Sequence, residues 1–327
     1  MPLAQRPTLE EIYSPIQSDL KAFSERLHRE LASDDELIQK IHEHILKMVG
    51  KFLRPALTIL SSRIGGKAPE EAIRLGAVIE LIHTATLVHD DIIDNSDFRR
   101  NQPSVHARWG RDLSIISGDY LYAKAFLLLA GLNNTMMNMA LATCAHTLCE
   151  GEMKQVEKRN QFLMSEAEYL KIIHQKTAAL FQAACMGGAY YSGLGEDAIE
   201  RMGRYGFGLG MAFQVVDDCL DLVGETQTLG KTTGLDLTKN DVTLPLLYLL
   251  QGLPPTSREE LTQRMKNNTV SFEEIKKMAV GEKAVERAMA RASGYIEDAL
   301  SALSGIPQSV YRQSLEQLAH HCIDRIR

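Results

Sequence analysis

Two copies of the pattern DDxxD interrupt otherwise apolar helical runs, and few folds can accommodate them. The first, Asp90-Asp91-Ile92-Ile93-Asp94, follows Leu81-Ile82-His83-Thr84-Ala85-Thr86-Leu87-Val88. The second, Asp217-Asp218-Cys219-Leu220-Asp221, follows Met211-Ala212-Phe213-Gln214-Val215-Val216 and begins 217 − 90 = 127 residues later. At about 100° per residue, positions i, i+1 and i+4 fall at roughly 0°, 100° and 40°, so each motif gathers three carboxylates on one helix face. Burying three unpaired carboxylates among apolar side chains is very costly, so either protons stay on them or cations neutralise them. One such motif alone is most simply a solvated helix face; two in matching apolar settings demand more. They suit Mg²⁺, which takes one or two carboxylates per ion and completes its octahedron with water and phosphate oxygens.

The rest of the chain reads as all-α. Apolar residues recur at 3.6-type spacing, and no alternating β-branched run is bounded by hairpin turns. Helices are expected over 8–31, 35–48, 52–64, 69–94, 109–131, 134–157, 165–191, 196–222, 241–251, 257–266, 271–278, 281–303 and 307–325. Gly65-Gly66, Asn133-Asn134, Gly193, Gly224 and Gly252 with Pro254-Pro255 punctuate them, and Ser165 with Glu168 has capping-box spacing. No Pro/Ser-rich linker divides residues 1–327, so one large antiparallel bundle is expected, with residues 1–7 as an arm. Helices 69–94 and 196–222, apolar on most sides, would be central in it. Both acidic motifs would then lie near the C-terminal ends of central helices, at one mouth of the bundle.

Composition excludes several classes. A formal charge of −6, from 42 acidic and 36 basic residues, with no Lys/Arg run, argues against nucleic-acid binding. The five cysteines include no CxxC, which fits a reducing cytoplasm rather than a disulfide framework. The N-terminus lacks a signal-peptide h-region, and Ala125–Cys149 carries Asn133, Asn134, Asn138 and His146, so no transmembrane helix is expected.

Basic and polar groups cluster beside special backbone residues. Gly50-Lys51-Phe52-Leu53-Arg54-Pro55 sets Lys51 and Arg54 one helical turn apart, where both can grip one phosphate group, although a solvated helix start would look the same. Asp97-Phe98-Arg99-Arg100-Asn101-Gln102-Pro103 follows the first motif with two adjacent arginines. Lys176-Thr177 and Gln214 add donors, and Gly230-Lys231 adds a loop cation. His83, about two turns before Asp90, shares its side of the helix; alone it would be an ordinary core histidine.

Gly50-Lys51-x-x-Arg54-Pro55, the first DDxxD with Arg99-Arg100, Glu150-Gly151-Glu152-x-x-Gln155, Lys176-Thr177, Phe213-Gln214-x-x-Asp217-Asp218-x-x-Asp221 and Gly230-Lys231-x-x-Gly234-x-Asp236 together resemble the trans-isoprenyl diphosphate synthases, over about residues 45–245. The resemblance implies the isoprenoid synthase bundle, with a cleft at one mouth and a central apolar tunnel. It implies three Mg²⁺ ions held by Asp90, Asp91, Asp94, Asp217, Asp218 and Asp221. Lys51, Arg54, His83 and Arg100 would bind isopentenyl diphosphate; Arg99, Lys176, Thr177, Gln214 and Lys231 would bind an allylic diphosphate. Relatives are usually homodimers, and the apolar Ala125–Cys149 region is a candidate interface. Three positions depart from the pattern: Asn101 replaces a usual Gly, Phe52 a frequent basic residue, and Asp241 a lysine common in relatives, with Lys239 nearby as its substitute. The C-terminal Asp324-Arg325-Ile326-Arg327 reads as a solvated tail, with closure over the mouth as the alternative.

In this family a bulky aromatic five residues before the first aspartate closes the product pocket, and this chain has Ala85 there. A helical turn rises about 5.4 Å, close to one extended isoprene unit, so a small residue leaves room for several more condensations. Leu81, Ile82, Ala85 and Thr86 would line the path, with Leu128, Leu129, Leu141, Ala145 and Leu148 toward its floor. The local sequence is most like long-chain synthases that make quinone side chains, hexaprenyl to decaprenyl, with octaprenyl the single choice. Alternatives are a short-chain farnesyl or geranylgeranyl synthase, a class I terpene cyclase and a non-catalytic subunit of a heteromeric synthase. Transient membrane contact during product release is left open.

Overall fold

The computed structural model describes residues 7–66, 70–224 and 234–325. Helix dominates them: α1 Leu9–Tyr13, α2 Gln17–Glu30, α3 Glu36–Met48, α4 Leu53–Arg63, α5 Glu70–Ile93, α6 Val105–Trp109, α7 Arg111–Ala130, α8 Thr135–Lys158, α9 Glu166–Ile173, α10 Ala179–Ser192 and α11 Glu196–Val223. Then come α12 Leu235–Thr238, α13 Leu244–Gly252, α14 Pro255–Lys266, α15 Phe272–Gly281, α16 Ala284–Ala302 and α17 Val310–Asp324. Two departures from the expected helices matter for function. A two-stranded hairpin, β1 Phe98–Arg99 with β2 Gln102–Pro103, follows α5. The expected helix 165–191 is interrupted by a π-helical turn at His174–Ala178. The arm falls mostly outside the described residues.

The chain forms two compact units, one of Met1–Ala145, Leu180–Gly206 and Ala302–Leu318, the other of His146–Ala179, Phe207–Ser301 and Ala319–Arg327. In the first, α5 is buried on nearly every side through Leu75, Val78, Ile79, Leu81, Ile82 and Ala85. It packs against α7, α4 and α2, as expected for a helix apolar all round. Asp19 and Arg63 tie α2 to α4 by two hydrogen bonds, 2.9 and 2.8 Å long. Helix α10 reaches α4 through Gly188, where a Cβ would collide with the Thr58 carbonyl oxygen. In the second unit α13 buries Leu244, Leu246, Leu247, Leu249 and Leu250 and packs on α9 and α15. The capping box at α9 forms: the Glu168 amide donates to Ser165 Oγ at 3.2 Å, and the Ser165 amide to Glu168 Oε2 at 2.9 Å.

Among the described residues two helices, α5 and α7, are long and apolar enough to cross a membrane by length and composition. Most of α5 is inside the protein, as a core helix should be.

The glycines make a paired test. Gly188→Ala must displace the α4 backbone and should destabilise by about 1–3 kcal/mol. Gly294→Ala, in α16 where a Cβ meets nothing within 4 Å, should stabilise by about 0.5–1 kcal/mol. Chemical denaturation of both variants checks this.

Candidate active site

In the first unit the acidic motif closes α5. Asp91 is 2% exposed, and Arg99 grips its carboxylate through Nε, at 2.9 and 3.0 Å, and Nη2, at 2.8 Å. Burial raises the Asp91 pKa even against the opposing pull of Arg99. The hairpin that delivers Arg99 turns on Arg100 and Asn101, with φ of 50° and 60°, the signature of a two-residue turn that matches strand twist. Asparagine tolerates this left-handed region, so Asn101 replaces the usual glycine without disrupting the turn. His44 braces the hairpin from α3: its Nε2 donates to the Pro103 carbonyl at 2.7 Å, and Arg108 donates to its Nδ1 at 3.0 Å.

Arg100 crosses back to the glycine preceding Lys51. A Cβ at Gly50 would overlap its guanidinium, and Arg100 Nη1 donates to the Met48 carbonyl at 2.8 Å. Arg54 lies 4.6 Å over the Phe181 ring. Burial first, then the charges of Arg54, Arg99 and Arg100, hold the His83 pKa well below the usual histidine value. Three of the expected cationic residues thus act on a neutral His83, while Lys51 stays exposed. Phe52, the other departure, adopts a φ of 50° and sets its ring edge-on to Phe23, 5.0 Å away.

In the second unit a relay of hydrogen bonds orients the other motif. Thr177 Oγ1 donates to Gln214 Oε1 at 2.7 Å, Gln214 Nε2 to Asp218 Oδ1 at 2.8 Å, and the Tyr169 hydroxyl to Asp218 Oδ2 at 2.6 Å. Asp218 is 5% exposed, and burial, reinforced by Asp217 and Asp221, pushes its pKa up to about 7 despite those donors. The π turn displays Lys176, whose Nζ lies 2.6 Å from Glu152 Oε2. Gly151 allows this approach, since a Cβ there would lie 2.6 Å from the Lys176 amide nitrogen. π turns are frequent where a helix must offer side chains to a ligand.

Two expectations are corrected. Arg325 is not simply solvated: its Nη2 donates to Asp217 Oδ1 at 2.8 Å, and its guanidinium lies 4.8 Å over the Phe213 ring. Asp241 does not present charge to a phosphate. It is 6% exposed, accepting from Gln155 Nε2 at 2.9 Å and Arg159 Nε at 3.0 Å. Its amide donates to the Asp236 carbonyl at 2.9 Å, and the Asp236 amide to Asp221 Oδ2 at 3.2 Å. Asp241 is therefore a brace for the loop that supports the motif. Asp236 joins the acidic group, its pKa raised by burial, then by Asp221, Asp218 and Asp241. Lys231, Ile326 and Arg327 lie outside the described residues.

Comparison with known proteins agrees with the order of the motifs along the chain. A family model described as polyprenyl synthetase matches residues 35–281. The chain belongs to the polyprenyl synthetase family. It is 34% identical to the all-trans-nonaprenyl-diphosphate synthase (geranyl-diphosphate specific) of Rhodobacter capsulatus, covering 97% of this chain and 98% of the relative. It is also 34% identical to the octaprenyl diphosphate synthase of Haemophilus influenzae, covering 97% of each. The crystal structure of a polyprenyl synthase from Caulobacter crescentus CB15, complexed with calcium and isoprenyl diphosphate, superposes with a TM-score of 0.92 at 32% identity over 98% of this chain and 99% of that one. The all-α isoprenoid synthase fold and the prenyltransferase class follow.

Tyr169 carries no signal in the sequence, since it reaches Asp218 from a separate segment; Asp236 is part of the sequence motif but its place beside Asp221 shows only in the fold, and the contact of Arg325 with Asp217 favours the alternative reading of the C-terminal segment over the solvated tail. Asp241→Lys tests the brace. It should set a lysine against Arg159, lower the melting temperature by several degrees and leave the KM for the allylic diphosphate no better than wild type; thermal denaturation and steady-state kinetics check both.

Proposed function

We propose that this protein is an all-trans polyprenyl diphosphate synthase that adds isopentenyl diphosphate head-to-tail to an allylic diphosphate, giving a hexaprenyl-to-decaprenyl product, octaprenyl being our choice, for a quinone side chain. The observation that carries the assignment to diphosphate chemistry is the pair of buried aspartates, Asp91 and Asp218, each meeting cationic or hydrogen-bond donors. Similarity to long-chain synthases and a fully buried alanine at position 85 support the product class.

The acidic residues fit a divalent metal. Asp91 and Asp218 have pKa values raised chiefly by burial, so each anion calls for a cation. Mg²⁺ takes one or two carboxylates and fills its remaining positions with phosphate oxygens and water, which suits acids of this kind. Asp90, Asp91 and Asp94 in one unit and Asp217, Asp218 and Asp221 in the other are assigned to three Mg²⁺ ions. Bound metal would supply Lewis-acid stabilisation of the departing diphosphate.

The chain's own residues do the rest. Arg99, Lys176, Thr177, Gln214 and Lys231 bind the allylic diphosphate and meet the charge that develops as its C–O bond breaks and the electron pair leaves with pyrophosphate. Lys176 exchanges Glu152 for phosphate in doing so. Lys51, Arg54, Arg100 and a neutral His83 hold isopentenyl diphosphate, whose double bond forms the new C–C bond with the allylic cation. The proton then lost passes to pyrophosphate, as the family resemblance implies, so no Ser/His or Cys/His set is required. Ile82 and Ala85 belong to an apolar wall that keeps water from the cation.

The apolar surface of the first unit supports a homodimer. Ile116 and Leu127 of α7 are 60% and 67% exposed, and Met136 and Met139 of α8 are 62% and 65% exposed, more apolar surface than one helix pair ordinarily leaves in water. The free cysteines, among them the exposed Cys149, accord with a cytoplasmic location.

Asp90→Ala and Asp217→Ala should each lower turnover by about two to four orders of magnitude with helical circular dichroism unchanged; near-normal turnover would remove that residue from the metal assignment. Ala85→Tyr should shorten the product to farnesyl or geranylgeranyl length without abolishing condensation, as product chromatography would show.

A further inference from the structure

The end of α3 is tied to the hairpin at two places. His44, 2% exposed, hydrogen-bonds through Nε2 to the Pro103 carbonyl at 2.7 Å, at the hairpin base where Pro103 pairs with Phe98. Met48, one turn further along α3, ends the helix. Its carbonyl is among those a helix end leaves without an internal partner, and it accepts from Arg100 Nη1 at 2.8 Å. One tie therefore holds the base of the hairpin and the other its turn residue. The Arg100 tie also sets its guanidinium where a Cβ at Gly50 would be. From there the chain runs on into Lys51 and Arg54. A single stretch, His44 to Arg54, thus carries two of the cations assigned to isopentenyl diphosphate and clasps the hairpin that supplies a third.

The partners of His44 fix where its hydrogen sits. A carbonyl oxygen only accepts, so Nε2 carries the hydrogen. A guanidinium only donates, so Nδ1, 3.0 Å from Arg108 Nη1, carries a lone pair. An imidazolium would turn an N–H against Arg108, so the arrangement admits the neutral Nε2–H tautomer alone. The surroundings hold this geometry. The Trp109 ring stands edge-on to His44 at 5.0 Å, and Arg108 lies 4.6 Å over that same ring. His106, also of α6, is spent on the Ser96 carbonyl at 2.8 Å and so steadies the entry to the hairpin.

We propose that His44 is a positioning residue for diphosphate binding: fixed by Arg108 as a neutral donor and acceptor, it holds the hairpin on α3 so that Arg100 stands with Lys51 and Arg54. The inference rests on assigning those three cations to isopentenyl diphosphate. His44 acts through Pro103 and is assigned no contact with the substrate. An apolar ring in its place leaves the Pro103 carbonyl and the Arg108 guanidinium without a partner and frees the hairpin base. Even a displacement of about 1 Å in a group that positions substrate is costly.

The test is calorimetric titration of isopentenyl diphosphate into the full-length protein and its variants. His44→Phe should weaken binding about ten- to a hundredfold. His44→Gln, whose amide offers both a donor and an acceptor, should recover most of that loss. A double variant with Arg100→Gln shows whether His44 acts through the hairpin: with Arg100 gone, His44→Phe should cost no more than about threefold. Additive losses in that cycle, no recovery by His44→Gln, or equal binding by wild type and His44→Phe overturn the proposal. Nitrogen NMR of histidine-labelled wild type keeps it testable if His44→Phe fails to fold. The His44 ring, assigned as the signal missing from His44→Gln, should carry its hydrogen on Nε2 alone at the pH of the titration; an Nδ1–H tautomer or an imidazolium overturns the proposal. Arg100→Gln by itself separates the two layers of the reading. Unchanged affinity there would remove the subsite assignment, whereas weakened affinity there with unchanged affinity in His44→Phe would reject only the role of His44.

Discussion

Carboxylates embedded in apolar helices must be answered by positive charge or by donors, and that constraint organises this protein. Asp91 and Asp218 sit at 2% and 5% exposure, where an unanswered anion would be among the most expensive groups a core can hold. The fold answers each locally. A hairpin whose turn residues have positive φ carries Arg99 to Asp91, and a π turn, a tyrosine and a glutamine supply the donor chain at Asp218. The left-handed Arg100 and Asn101 at the hairpin turn are backbone accommodations that let the hairpin carry Arg99 to Asp91.

The same constraint explains why so many buried groups in each unit have shifted protonation. Glu80, Asp218 and Asp236 are acids pushed upward by burial, while His83 is a base pushed downward. Such groups are poised to change state when a polyanion or a divalent cation arrives, which suits an enzyme whose substrates carry most of the charge. Catalysis in this account comes from placing that charge, with no side chain acting as nucleophile.

Much of the site was legible in the sequence because its signals are local. Two identical motifs, each i, i+1, i+4 on an apolar helix, reveal themselves by spacing, and the basic clusters adjoin unusual glycines and prolines. The core of α5 was equally plain from its unbroken apolar run. What escaped depends on contacts between distant segments: Tyr169 on Asp218, Arg159 on Asp241, Arg325 on Asp217. The hairpin at 98–103 escaped as well, since strands of two residues carry no periodicity and rest on the turn alone. Asp241 shows the limit most clearly. Its identity suggested a lost phosphate contact, but its carboxylate is occupied by Gln155 and Arg159, and only the folded chain shows that the position serves the loop.

Buried acids and their cationic surroundings are here assigned to metal-dependent prenyl transfer. The most direct test of that assignment is incubation with labelled isopentenyl diphosphate and each allylic primer in turn, with and without Mg²⁺, followed by sizing of the dephosphorylated products. Incorporation is expected only with Mg²⁺, giving all-trans products of hexaprenyl to decaprenyl length. No Mg²⁺-dependent incorporation with any primer, or release of a cyclic hydrocarbon from the allylic diphosphate alone, would contradict it.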